Sequence, residues 1–102
     1  MSAVGVVQAF ASNYAQARAR FLEAAATAGL PLQSHPHPLR GVDGEALFVD
    51  VAEVGPADAD HVIVVVSGTH GVEGYLGSAL QRHHLGNLDP DRTGGPTLVF
   101  VH

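Results

Sequence analysis

Val62-Ile63-Val64-Val65-Val66-Ser67-Gly68-Thr69-His70-Gly71-Val72-Glu73-Gly74 is the stretch around which the rest of the chain is arranged. Its five β-branched residues predict a strand buried on both faces, of the kind found in the middle of a parallel sheet. The run breaks at Ser67-Gly68-Thr69, and helix-compatible residues begin near Val72. Ligands in open α/β sheets gather outside the carboxyl ends of the strands, so the loop after Val66 is aimed at a site. That loop carries His70 and, three residues on, Glu73.

With a helix opening at Val72 and Glu73, His70 sits in the loop and Glu73 in the first turn. Residues at this spacing lie on one side of a helical turn with β-carbons roughly 5–6 Å apart. An imidazole nitrogen and a carboxylate oxygen so placed can both reach one Zn²⁺, each at about 2.0–2.2 Å. Unpaired N–H groups at a helix N-terminus favour the ionised carboxylate, which suits a ligand better than a neutral acid. Glycines at 68, 71 and 74 keep side chains away from whatever binds there.

The segment Ser67-Gly68-Thr69-His70-Gly71-Val72-Glu73-Gly74 resembles the strand–loop–helix of the carboxypeptidase A-like zinc peptidase superfamily, whose first two zinc ligands form a His-x-x-Glu pair. It more closely resembles a bacterial branch designated only as a domain of unknown function, distantly similar to the succinylglutamate desuccinylase and aspartoacylase group. The resemblance extends through Tyr14-Ala15-Gln16-Ala17-Arg18-Ala19-Arg20-Phe21 and Ser34-His35-Pro36-His37-Pro38-Leu39-Arg40-Gly41, and so covers nearly the whole chain. It implies a phosphorylase/hydrolase-like fold, His70 and Glu73 as zinc ligands, and hydrolysis of peptide or N-acyl amino-acid amide bonds. It also implies a third zinc-binding His, a general-base Glu and a substrate-binding Arg located well after the first pair. Residues 1–102 are therefore expected to form a single domain that is the truncated N-terminal fragment of a longer fold, incomplete and inactive alone.

The chain has 102 residues, one domain at most and large enough for a modest core. Apolar residues make up 46%, which argues against disorder. A formal net charge of −5, with five Arg and no Lys, excludes the concentrated positive charge that phosphate backbones require, so no nucleic acid partner is expected. There are no cysteines for disulfides or thiolate sites. The first residues lack the charge and apolar core of a signal peptide, and no apolar run approaches the ~20 residues that span a bilayer. A soluble cytoplasmic protein with no membrane partner is the expectation.

In chain order, residues 1–11 are a lead-in. Ser12 or Asn13 caps a helix running to about Ala28 and closed by Gly29, with Tyr14, Ala17, Phe21, Ala24 and Ala28 on its apolar face and Arg18 and Arg20 pointing elsewhere. This helix reads as scaffold. The X-Pro steps of Leu32-Gln33-Ser34-His35-Pro36-His37-Pro38 predict an extended edge segment, in which His35 and His37 share a side but lack a nearby carboxylate. Asp43-Gly44 makes a turn, and the alternation that follows sets Leu47, Val49 and Val51 on one face, so the two segments form an edge hairpin. After the central strand a helix reaches about Leu85, ending in a polar turn with His83 and His84. Residues 98–102 form a second buried strand. The result is an α/β fold: a partial mixed sheet with a parallel βαβ core and flanking helices, three-layer in character, with strands 62–66 and 98–102 as parallel neighbours. His102 falls on the site side, where topology makes it a makeshift third ligand that the resemblance does not support.

Two rival functions have sequence arguments. A phosphate- or nucleotide-binding module would use Gly68, Gly71 and Gly74, but the tight G-x-G start is missing. A non-catalytic remnant or assembly domain fits a sheet whose apolar rows, Val99 and Val101 among them, are left uncovered, and such surfaces are managed by self-association. A serine hydrolase is disfavoured because Gly77-Ser78-Ala79-Leu80 lacks the second glycine of a nucleophile elbow.

Overall fold

A computed structural model describes residues 10–69, 74–88 and 95–102. Most of the lead-in, most of the 89–96 turn and both proposed zinc ligands, His70 and Glu73, lie outside the described residues. Helix α1 (Tyr14–Thr27) starts where its cap predicts: Asn13 is extended and its side-chain oxygen accepts from the Gln16 amide at 2.8 Å. At the other end Gly29 takes φ 73°, the left-handed conformation that closes a helix. Strands β1 (Leu32–Arg40) and β2 (Ala46–Val54) form the expected antiparallel hairpin, with Leu32 opposite Ala52 and Pro36 opposite Phe48. Strand β3 (Val62–Val66), helix α2 (Gly74–Gly86) and strand β4 (Thr97–Val101) form the βαβ unit.

The sheet order is β1-β2-β4-β3. β3 and β4 are parallel neighbours, Val62 beside Thr97 and Val66 beside Val101, while β2 and β4 are antiparallel. The mixed α/β sheet with its parallel pair and flanking helices matches the expected fold class. The core is small: Phe21 and Ala25 of α1 and Leu85 of α2 close over Ala52 and Phe100. Burying one Phe or Leu side chain contributes about 1.5–3 kcal/mol, so these few residues carry a large share of the stability.

Three expectations change. First, β3 is not buried on both faces: all five residues are exposed, from 36% at Val65 to 57% at Val66. It occupies a sheet edge with β4 as its single described neighbour, and a β-branched run specifies a strand without specifying its place in the sheet. Second, the described helices do not lie on opposite sides. Tyr14, Arg18 and Phe21 of α1 meet Phe48, Asp50 and His102, and Ser78 and His84 of α2 meet His102 and Phe100, all in one alternating row of the sheet. The described part therefore has two layers. Third, Arg18 does not point away from the fold. It reaches Asp50, which is fully buried. Val49 and Val51 do share a face, but the helices cover the opposite row, Phe48, Asp50 and Ala52.

Candidate functional site

A pocket of about 540 Å³ opens where three strand ends and two helix starts converge. Val66 ends β3, Val101 and His102 end β4, Phe48 and Val49 begin β2, Tyr14 and Ala17 come from the start of α1, and Gly74, Tyr75 and Ser78 from the start of α2. Ser67, Gly68 and Thr69 complete it. The carboxyl ends of parallel strands are the usual place for a ligand in such a sheet.

Close backbone approach makes this corner compact. Gly74 packs on Gly68, where an added Cβ would come within 2.9 Å of the Gly68 Cα, and one at Gly77 would meet the Ser67 Cβ at 2.8 Å. The glycines that weaken α2 as an isolated helix thus let its first turns sit directly on the residues that leave β3. Gln81, one turn on, donates to the carbonyls of Val65 (3.2 Å) and Val101 (3.0 Å), fastening α2 across the ends of both parallel strands. Its own oxygen is buried without a partner among the described residues.

His102 is the best-fixed polar group in the pocket. Its backbone extends the β2–β4 ladder, donating to the Asp50 carbonyl at 2.8 Å and accepting from the Asp50 amide at 3.0 Å. Its ring stacks on buried Phe21, centroids 4.4 Å apart, and Nε2 lies 2.6 Å from Ser78 Oγ. Burial pushes the imidazole below its ordinary pKa of 6.5. The Asp50 carboxylate pulls it upward and the Arg18 guanidinium downward. Behind it, Arg18 grips Asp50 in two hydrogen bonds, Nε to Oδ2 at 2.8 Å and Nη2 to Oδ1 at 3.1 Å, while Ser34 Oγ donates to the same carboxylate at 2.6 Å. The guanidinium also lies 3.7 Å over the Phe48 ring. The Tyr14 hydroxyl accepts from the Phe48 amide (2.8 Å) and donates to its carbonyl (3.2 Å), tying α1 to the start of β2.

The residues singled out from sequence divide between two regions. Thr69 and Gly74, immediately before and after the 70–73 segment, both line the pocket. His102 lines it too, but its Nε2 is engaged by Ser78. His35 and His37 lie on the exposed outer strand β1, where His37 Nδ1 accepts from the Leu39 amide. Among the described residues, no group of three or more His, Cys, Asp or Glu is placed to hold a metal ion. Sequence reasoning missed Ser78, Tyr14 and Phe48 as site residues. For Ser78 a signal existed: it follows Gly74 by four positions and so shares its helix face. The Arg18–Asp50 pair left only a charged residue in the middle of a valine-rich strand.

A family model described as "Protein of unknown function (DUF2817)" matches residues 10–102. No curated protein matches the chain. Among solved structures, a chain from "Structural and kinetic characterization of Porphyromonas gingivalis glutaminyl cyclase" is similar at 17% identity and a TM-score of 0.48, over 79% of this chain. This chain spans 33% of that one.

Proposed function

The chain belongs to the DUF2817 family, and we propose that it is the ligand-ordering part of a zinc-dependent hydrolase of peptide or N-acyl amino-acid amide bonds, of the carboxypeptidase A-like kind. One observation carries the proposal: the pocket at the ends of β3 and β4 is walled by Ser67, Gly68, Thr69 and Gly74, the residues that bracket His70 and Glu73. An imidazole and a carboxylate are a donor set that suits zinc. Bound there, the ion would acidify a water molecule and polarise a carbonyl. The chain's own described residues supply mostly apolar walls and a helix fastened to the strand ends by Gln81. On the same proposal the third ligand, the proton-carrying carboxylate and the anchoring Arg come from sequence beyond His102, and the setting is cytoplasmic. No helix among the described residues is long and apolar enough to cross a membrane.

Calorimetric titration of Zn²⁺ into the wild type, His70→Ala and Glu73→Ala tests the ligands. Residues 1–102 are expected to bind zinc weakly and reversibly, each substitution to abolish that binding, and amide hydrolysis to be undetectable. Equal binding by all three proteins would sink the assignment, as would tight binding with cleavage of acylated amino acids by the short chain. A second proposal, an assembly domain without activity, is favoured by the exposure of all five β3 residues.

A further inference from the structure

One face of α2 packs on the corner of the pocket in a stepped series, and one side chain of that face reaches both parallel strands. Gly74 lies on Gly68, Gly77 on Ser67, and Gln81 hydrogen-bonds the Val65 carbonyl, so steps of three and four along the helix follow β3 backwards from its exit. On the β4 side, Ser78 meets His102 and Gln81 meets the Val101 carbonyl. Gln81 is 2% exposed, and its amide nitrogen gives one hydrogen to each strand, at 3.2 Å and 3.0 Å. The Val101 carbonyl also accepts from the Ser67 amide at 2.9 Å. The Gln81 side chain and the first residue beyond β3 therefore share an acceptor.

We propose that Gln81 is a positioning residue, which fixes the exit of β3 and the start of α2 relative to each other. These are the two anchors between which residues 70–73 run. The glycines permit close approach but select no geometry, since bare backbones in contact can still slide and rotate. Two hydrogen bonds from one nitrogen to carbonyls on different strands are well aligned at one rotation and one axial position of the helix. Sites that bind a metal tolerate misplacement of roughly 0.5 Å, so a residue that sets the anchors acts on affinity without touching the ion. That the anchored segment serves zinc rests on the hydrolase proposal. That Gln81 sets its anchors rests on the contacts with Val65 and Val101.

Gln81→Met fills similar space and supplies neither bond. Leu85→Val loosens the same helix one turn further on, in the core, and serves as the control. Amide hydrogen exchange of the ¹⁵N-labelled chain without metal reads the anchors directly. In Gln81→Met the Ser67 amide should exchange about tenfold faster relative to the Phe21 amide in the middle of α1, the size of one net hydrogen bond. In Leu85→Val that ratio should stay within about twofold of the wild type. Gln81→Asn keeps the donors on a side chain too short to span both carbonyls, so the same ratio can be read there if Gln81→Met does not fold. Zinc affinity should fall about fivefold or more in the Gln81 variant and less than about twofold in Leu85→Val. Equal acceleration throughout the molecule overturns the proposal, because Gln81 then only stabilises. An unchanged ratio overturns it too, as does wild-type zinc affinity in the Gln81 variant. Wild type that binds no zinc removes the hydrolase reading and leaves exchange to decide on Gln81. Zinc bound by wild type with no change in exchange keeps the hydrolase and removes Gln81.

Discussion

The two faces of the one sheet differ in a way that apolar content does not explain. The face under α1 and α2 carries Phe48, Asp50, Ala52, Phe100 and His102, including a carboxylate and an imidazole. The other carries Val49, Val51, Val62, Val64, Val66, Val99 and Val101, and no described helix packs on it. Val62, Val64 and Val66 are each more than half exposed, while Ala52 and Asp50 are fully buried. A helix needs a surface it can fit and satisfy. Ala52 leaves room for the Phe21 and Phe100 rings, and Asp50 and His102 find Arg18 and Ser78 on the helices. Valines offer no such specificity, and their row lies open.

The largest effects should come from the covered face. Phe100→Ala removes a ring that is 2% exposed, and a loss of about 3–5 kcal/mol is expected from the urea midpoint. A loss under ~1 kcal/mol would mean that this face is not the core. Asp50→Ala leaves the partly buried Arg18 guanidinium without its carboxylate, and removal of one member of a buried pair typically costs about 3–5 kcal/mol. Since the Arg18 side chain is 22% exposed and water reaches it, the lower end is expected. An unchanged midpoint would show that the polar pair does not hold α1 to the sheet.

His102 should give a smaller, pH-dependent effect. Its pKa is lowered in the folded chain, chiefly by burial, so the unfolded chain binds a proton that the folded one resists. Its contribution is complete above the ordinary value of 6.5 and is lost as pH falls toward the folded value. Melting temperature should drop between pH 7 and pH 5 more steeply in the wild type than in His102→Gln. Parallel curves would remove His102 from the acid response.

The smallest stability change belongs to the open face. Val64→Lys should shift the urea midpoint by no more than about 0.5 kcal/mol, because its side chain is 56% exposed. The same substitution should suppress the self-association expected of the wild type in light scattering. Wild type that stays monomeric at high concentration would contradict the assembly proposal.

Much of the fold is legible locally. The Asn13 cap, the Pro-marked edge of β1, the Asp43-Gly44 turn and the β3–α2–β4 crossover are all set by residues close together in sequence. The layer arrangement is not, because the choice between two valine-bearing faces depends on Arg18 meeting Asp50, 32 positions away. The same holds for Ser78 and His102, separated by 24. His102 could be placed at the pocket from topology and Ser78 on the Gly74 face of its helix, but nothing local pairs the two. A β-branched run likewise says strand, and only its neighbours say edge.

The edges of this sheet have unequal valence. β1 contains Pro36 and Pro38, which remove two N–H groups from a strand that lies at the border of the sheet, while β3 offers five residues with neither proline nor charge. Among the described residues, the β3 edge is able to accept another strand and the β1 edge is guarded against it. Two copies joined antiparallel through β3 would form one continuous sheet whose outer borders are both proline strands. Such pairing consumes its own growing end, so it closes at two instead of propagating as a fibre. Sedimentation showing a ladder of larger species would mean that association runs through the open valine face instead.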